Sequence, residues 1–114
     1  MERVVLVYTT YPSLVEAEKA GRSVVTQRLA ACVNILPGMV SHYWWNGTLE
    51  RGEEVVMFIK TRASFADRVR KVIKAEHPHE TPAIMVIPVE SVEDTYLRWI
   101  MNQTDRAAMA GAAG

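Results

Sequence analysis

The sequence predicts an α+β fold: a βαββαβ order that closes into one antiparallel sheet with two helices on one face, followed by a C-terminal helix. Three observations carry this reading. Short β-branched runs alternate with segments of helical period. Ser-x-x-Glu or Ser-x-x-Asp pairs stand where those helical segments begin, and Asn46-Gly47 marks a tight hairpin in the middle of the chain. Right-handed crossovers then put both helices on the same side of the sheet.

The run RVVLVYT over 3–9 reads as a central strand, bounded by TYPS. Ser13 and Glu16 form a capping box, and Leu14, Ala17, Val24 and Val25 recur at helical spacing, which predicts a helix over 13–30. CVNIL at 32–36 is the second strand; Pro37-Gly38 bends it, and VSHYWW carries it on to the Asn46-Gly47 turn. The return limb runs through TLERGEE into VVMFIKT at 55–61, with a bulge expected at Arg51-Gly52. Ser64 and Asp67 are expected to cap a second helix whose Phe65, Val69, Val72 and Ile73 share a face. That helix must stop near Glu76, because Pro78 pushes His77 out of helical geometry. AIMVIPV at 83–89 is the fourth strand, with Pro88 near an unpaired end. Ser91 and Asp94 are expected to cap a last helix carrying Tyr96, Leu97, Trp99 and Ile100. Residues 1–102 thus form one domain, and 103–114 read as an Ala/Gly-rich flexible tail.

The hairpin is longer than two helices can cover, and Tyr43, Trp44 and Trp45 follow one another near its tip. Alternation along a strand sends neighbours to opposite faces, so both faces carry an aromatic ring. Either the two tryptophans fill a core with the tyrosine at its rim, or one face needs a partner, since long apolar edge strands recruit other chains.

At 114 residues the chain suits a single core that hides about 65% of its unfolded surface. Thirteen basic and thirteen acidic side chains cancel, so no long-range field draws it to nucleic acid or an anionic membrane. The second helix carries Arg68, Lys71 and Lys74 along one side, interrupted by Asp67 and Glu76, a pattern read as a solvated face. The one cysteine, Cys32, reads as a small buried hydrophobe. With no signal-peptide pattern and no apolar run approaching a membrane span, a cytoplasmic protein is expected. Walker loop, G-x-G-x-x-G, G-x-S-x-G and H-E-x-x-H patterns are all missing, so no enzyme is expected.

The densest set of potential ligands is KAEHPHETP at 74–82. His77 and His79, one residue apart in an extended segment, can face the same way, and Glu80 adds an oxygen, a donor set suited to copper or another divalent ion. The same string also reads as a rigid helix exit, with Pro78 and Pro82 as stiff points and His77 at the negative end of the helix dipole.

Several motifs together resemble the CutA divalent-cation tolerance family over residues 1–102. RLAACVNI at 28–35 is similar to its helix-to-strand signature, and Ser41, Tyr43, Trp45 and Gly47 to its S-x-Y-x-W-x-G hairpin. Lys60-Thr61, His77-Pro78, Pro82 and YLRWI at 96–100 follow at matching spacing. The resemblance implies a ferredoxin-like fold and a homotrimer held by hairpins that pair across subunits, with Tyr43, Trp44 and Trp45 in the interface. It also implies a link to copper and other divalent ions rather than a catalytic reaction. Some members place a copper-binding Cys at the end of the first strand and a His pair before the turn. Those positions here are Thr9 and Glu76-His77, so only His77 carries over, while His79 replaces the usual Tyr and Ala83 the common Glu. The resemblance extends to PII-like proteins that take small anions between subunits, which makes Lys60 and Arg62 candidates for a ligand cleft.

Overall fold

The structure is a computed structural model that describes residues 2–105; the expected tail beyond Asp105 lies outside the described residues. The strands are β1 (Val4–Tyr11), β2 (Cys32–Trp45), β3 (Thr48–Arg62) and β4 (Ile84–Pro88), and the helices are α1 (Leu14–Thr26), α2 (Ala66–Glu76) and α3 (Asp94–Gln103). One sheet in the order β2-β3-β1-β4 results, with every recorded pairing antiparallel, a ferredoxin-like α+β fold. No described helix is long and apolar enough to cross a membrane.

Alternation gives the sheet two faces. Odd-numbered residues of β1 and β3, Val7, Tyr11, Met57 and Ile59, pack with Ala17, Ala20 and Val24 of α1 and Val69 and Ile73 of α2. Gly21 lets α1 lie this close: a Cβ there would sit 2.9 Å from Val33 Cγ2 and 3.0 Å from Met57 Sδ. The far face carries Tyr8 and Phe58, edge to face at 5.8 Å. Its lower end is covered by α3, where Ile100 joins Val4 and Ala31 with Cys32, Leu97 and Met101 around them.

Several expectations are corrected. The first helix ends at Thr26 and not at residue 30, because Arg28 turns left-handed at φ 61. Leu29 N–H then bonds Val24 O at 3.0 Å and Arg28 N–H bonds Val25 O at 3.0 Å, a helix stop usually marked by glycine. The bulge is not at Arg51-Gly52, where Ser41↔Gly52 and His42↔Arg51 pair regularly. It lies on β2 between Leu36 and Met39, where Pro37 has no N–H for the ladder and Gly38 adopts φ 85. Gly52 instead lies beside the Tyr43 ring, whose Oη would stand at an ordinary contact distance of 3.5 Å from an added Cβ. Ser64 does not cap α2. A 3₁₀ turn (Ala63–Phe65) precedes the helix, and Ser64 N–H donates to Glu2 Oε2 at 2.6 Å. Nor does Ser91 cap α3, which starts after Glu93 with no side-chain cap bond. Gln103 and Thr104, read as tail, belong to the folded body: Arg28 Nη1 donates to Gln103 Oε1 at 2.9 Å, and Thr104 is fully buried.

The Ser13 cap forms as expected, accepting from Glu16 N–H at 3.3 Å while its hydroxyl donates to Glu16 Oε2 at 2.9 Å. The Asn46-Gly47 turn has the expected positive φ angles of 50 and 77. The arm it closes makes the molecule long, with a radius of gyration of 15.3 Å against about 13 Å for a compact chain of this length.

Candidate functional site

At the corner between α2 and β4, Pro78 holds His77 extended at φ −74 and ψ 136. The ring therefore leaves the helix and reaches the end of β1, where His77 Nε2 lies 2.6 Å from the Thr10 carbonyl. A carbonyl only accepts, so Nε2 carries the proton and Nδ1 holds the lone pair. That lone pair accepts the His79 backbone N–H at 3.1 Å. The ring also stacks on Tyr11, centroids 4.5 Å apart and planes 24° apart. Burial holds the His77 pKa below the ordinary imidazole value, although the Thr10 bond pulls the other way. The same burial, aided by Glu76 and Glu16, pushes Tyr11 up to about 12.

His79 lies beside His77 with ring centroids 5.1 Å apart and a 51° tilt, and His79 and Glu80 are both exposed. Thr9, the position that the resemblance sets against a ligand Cys, is fully buried with an unbonded Oγ1. Among the described residues, no three His, Cys, Asp or Glu side chains converge where an ion would need them. A closed divalent site therefore does not fit this corner of a single chain. His77 already uses both nitrogens, and the exposed donors beyond Pro78 are His79 and Glu80.

Lys60 and Arg62 both lie on the far face, where α3 crosses β3. Lys60 Nζ donates to Tyr96 Oη at 3.0 Å, which pushes the lysine pKa up, and Tyr96 stacks on Trp99 at 5.5 Å. A shallow groove of about 390 Å³ runs beside them, lined by Arg22, Val25, Thr26, Cys32 and Trp99 among others. Arg62 donates from Nη2 to Met101 O at 2.6 Å and from Nε to Thr104 Oγ1 at 2.9 Å, with Glu2 Oε1 3.4 Å from Nη1. Both cations thus fasten α3 to the sheet.

The third candidate region is the hairpin. Beyond the bulge, Ser41, Tyr43 and Trp45 join the far face opposite Gly52, Glu50 and Thr48, while Val40 and Trp44 take the other. Glu54 is held by two hydroxyls, accepting from Ser41 Oγ at 2.6 Å and from Thr10 Oγ1 at 3.2 Å. Tyr43 is 44% exposed, Trp44 72% and Trp45 50%; Leu36, Leu49, Met85 and Ile87 are exposed as well.

The family model described as CutA1 divalent ion tolerance protein matches residues 5–103. This chain belongs to the CutA1 family. The Pyrococcus horikoshii divalent-cation tolerance protein CutA is 36% identical over 103 residues, covering 90% of this chain and 100% of that protein. The chloroplastic protein CutA 1 of Oryza sativa is 36% identical over 88% of the chain. This chain spans 56% of that rice protein and 60% of the mouse protein CutA, so it matches little more than half of those relatives. The solved CutA structure from Archaeoglobus fulgidus superposes with a TM-score of 0.87 at 39% identity, covering 90% of this chain and 99% of that one.

Thr10 and Tyr11 escaped the sequence reading as partners of His77. They stand far back along the chain, at the end of β1, and no local pattern links them to the His-Pro-His segment. Tyr96 and Thr104 were missed as partners of Lys60 and Arg62 for the same reason.

Proposed function

We propose that the chain works in divalent-cation tolerance as a homotrimer, a binding and scaffolding protein rather than a catalyst, in a reducing compartment such as the cytoplasm where Cys32 stays a thiol. The observation that carries this reading is the apolar hairpin and far face, which a single chain leaves exposed from Leu36 through Trp45 and Leu49 to Met85 and Ile87. Large apolar side chains left exposed on both faces of a hairpin and along a sheet mark a protein-protein contact. A second copy of the same chain is the occupant that the family resemblance implies, with three copies in all. Ion contact, copper being the first to try, falls to the exposed end of the His-Pro-His-Glu segment. Native mass spectrometry with and without copper or zinc tests both parts. The expected spectrum shows three chains at every concentration above the dissociation constant, with ions lost readily on collision. A spectrum of single chains alone would sink the assembly. The reading as a small-anion sensor has less support, because Lys60 and Arg62 are already bonded to α3 and to the turn that ends it.

A further inference from the structure

We infer that His77 is a strut locked in one tautomer and not an ion ligand, so that a divalent ion on this segment is held by His79 and Glu80. The ion part rests on the proposed tolerance function; the strut part does not. A neutral imidazole has one N–H and one lone pair. At His77 the N–H faces the Thr10 carbonyl at 2.6 Å, and the lone pair accepts the His79 N–H at 3.1 Å. An ion bound at Nδ1 would displace the His79 amide. One bound at Nε2 would need the opposite tautomer, would leave the Thr10 carbonyl without this donor, and would pull the ring off Tyr11, which is 1% exposed in the core. The first route breaks a bond within the corner itself, and the second dismantles its contact with β1.

The neighbouring donors carry no such constraint. His79 engages through its backbone N–H and a ring contact to His77, while among the described residues the Glu80 carboxylate has no hydrogen bond or ion pair. His77 thus positions His79: the bond to the His79 amide sets where that residue sits, and the exposed His79 ring is offered from a fixed backbone. Metal-bound histidines are commonly oriented by a second partner that is not itself a ligand. Here His77 fixes the backbone of His79 and lies against its ring, without a bond to either ring nitrogen of His79 among the described residues.

The test uses the full chain, zinc chloride or copper sulfate as the probe, and three proteins: wild type, His79→Ala and His77→Gln. The glutamine introduced by His77→Gln keeps an amide that can donate to Thr10 O. Nitrogen-15 spectra of the wild-type imidazoles should show His77 with the proton on Nε2, and its nitrogen shifts should stay put as metal is added while those of His79 move. Calorimetry should show saturable binding lost in His79→Ala and weakened but still present in His77→Gln, with a lower melting temperature for the latter. Metal-induced movement of the His77 nitrogens, or loss of binding in His77→Gln with its melting temperature unchanged, would overturn the inference. If wild type binds neither ion, the tolerance reading loses its ion contact. The tautomer spectrum alone then decides the strut, and a proton on Nδ1 or rapid exchange between tautomers would refute it.

Discussion

The two faces of the sheet are built from the same strands and meet opposite fates. On the helix side, Val7, Met57, Ile59, Val69 and Ile73 are all fully buried within one chain. On the far side, Leu36, Met85 and Ile87 stay between 38% and 56% exposed, and the hairpin carries its tryptophans beyond the reach of any helix. The contrast separates the residues that close one chain's core from those left open to the proposed assembly. The helix side is closed within a single chain, whereas the far side beyond α3 and the arm keep large apolar side chains exposed.

Mutations can separate the two. The largest effect is expected at Ile59→Ala, which leaves a cavity under both helices and should lower unfolding free energy by about 2–5 kcal/mol. Chemical denaturation should show that loss at every protein concentration. Trp45→Ser should act instead on association. It removes a side chain whose burial is worth about 1.5–3 kcal/mol, so light scattering should show the assembly dissociating at higher concentration than wild type. A loss seen equally at all dilutions would mean that the tryptophan serves its own chain, and the contrast between the faces would fail.

Smaller effects probe the helix side itself. Thr9 Oγ1 is fully buried and unbonded among the described residues. Thr9→Val keeps the shape while removing an unsatisfied group, and should raise stability by about 1 kcal/mol. A lower melting temperature would point to a partner for that hydroxyl, such as a buried water.

The smallest effect is a pH dependence at His77. Burial depresses its folded pKa below the ordinary 6.5. The contribution is therefore complete above about 6.5 and is lost as pH falls through that value towards the folded pKa. Melting temperature measured from pH 7.5 downward should drop more in wild type than in His77→Gln.

The order of elements was legible because hydrophobic period, turn chemistry and proline restrictions act over a few residues. The β1 run, the Asn46-Gly47 turn and the stop of α2 at Glu76 were read correctly for that reason. The helical reach to residue 30 and the Ser64 cap were misread because distant partners decided them, the bulge was placed at Arg51-Gly52 although it lies at Pro37-Gly38, and the Ser91 cap does not form. Arg28 adopts a left-handed angle beside Gln103, and Ser64 N–H is taken by Glu2. Of the candidate site, the segment around His77 could be found from the string alone, but the use of its two nitrogens could not.

The sequence by itself determined that this chain is a βαββαβ sheet with an aromatic arm, since local periodicity and turn residues leave little choice of element. Only the tertiary structure decided which rings share a face. One extra residue at Pro37-Gly38 shifts the β2 register, so Met39, Ser41, Tyr43 and Trp45 lie on the side of Tyr8 and Phe58. Strand side chains alternate with a period of two, and a single inserted residue therefore reverses everything beyond it.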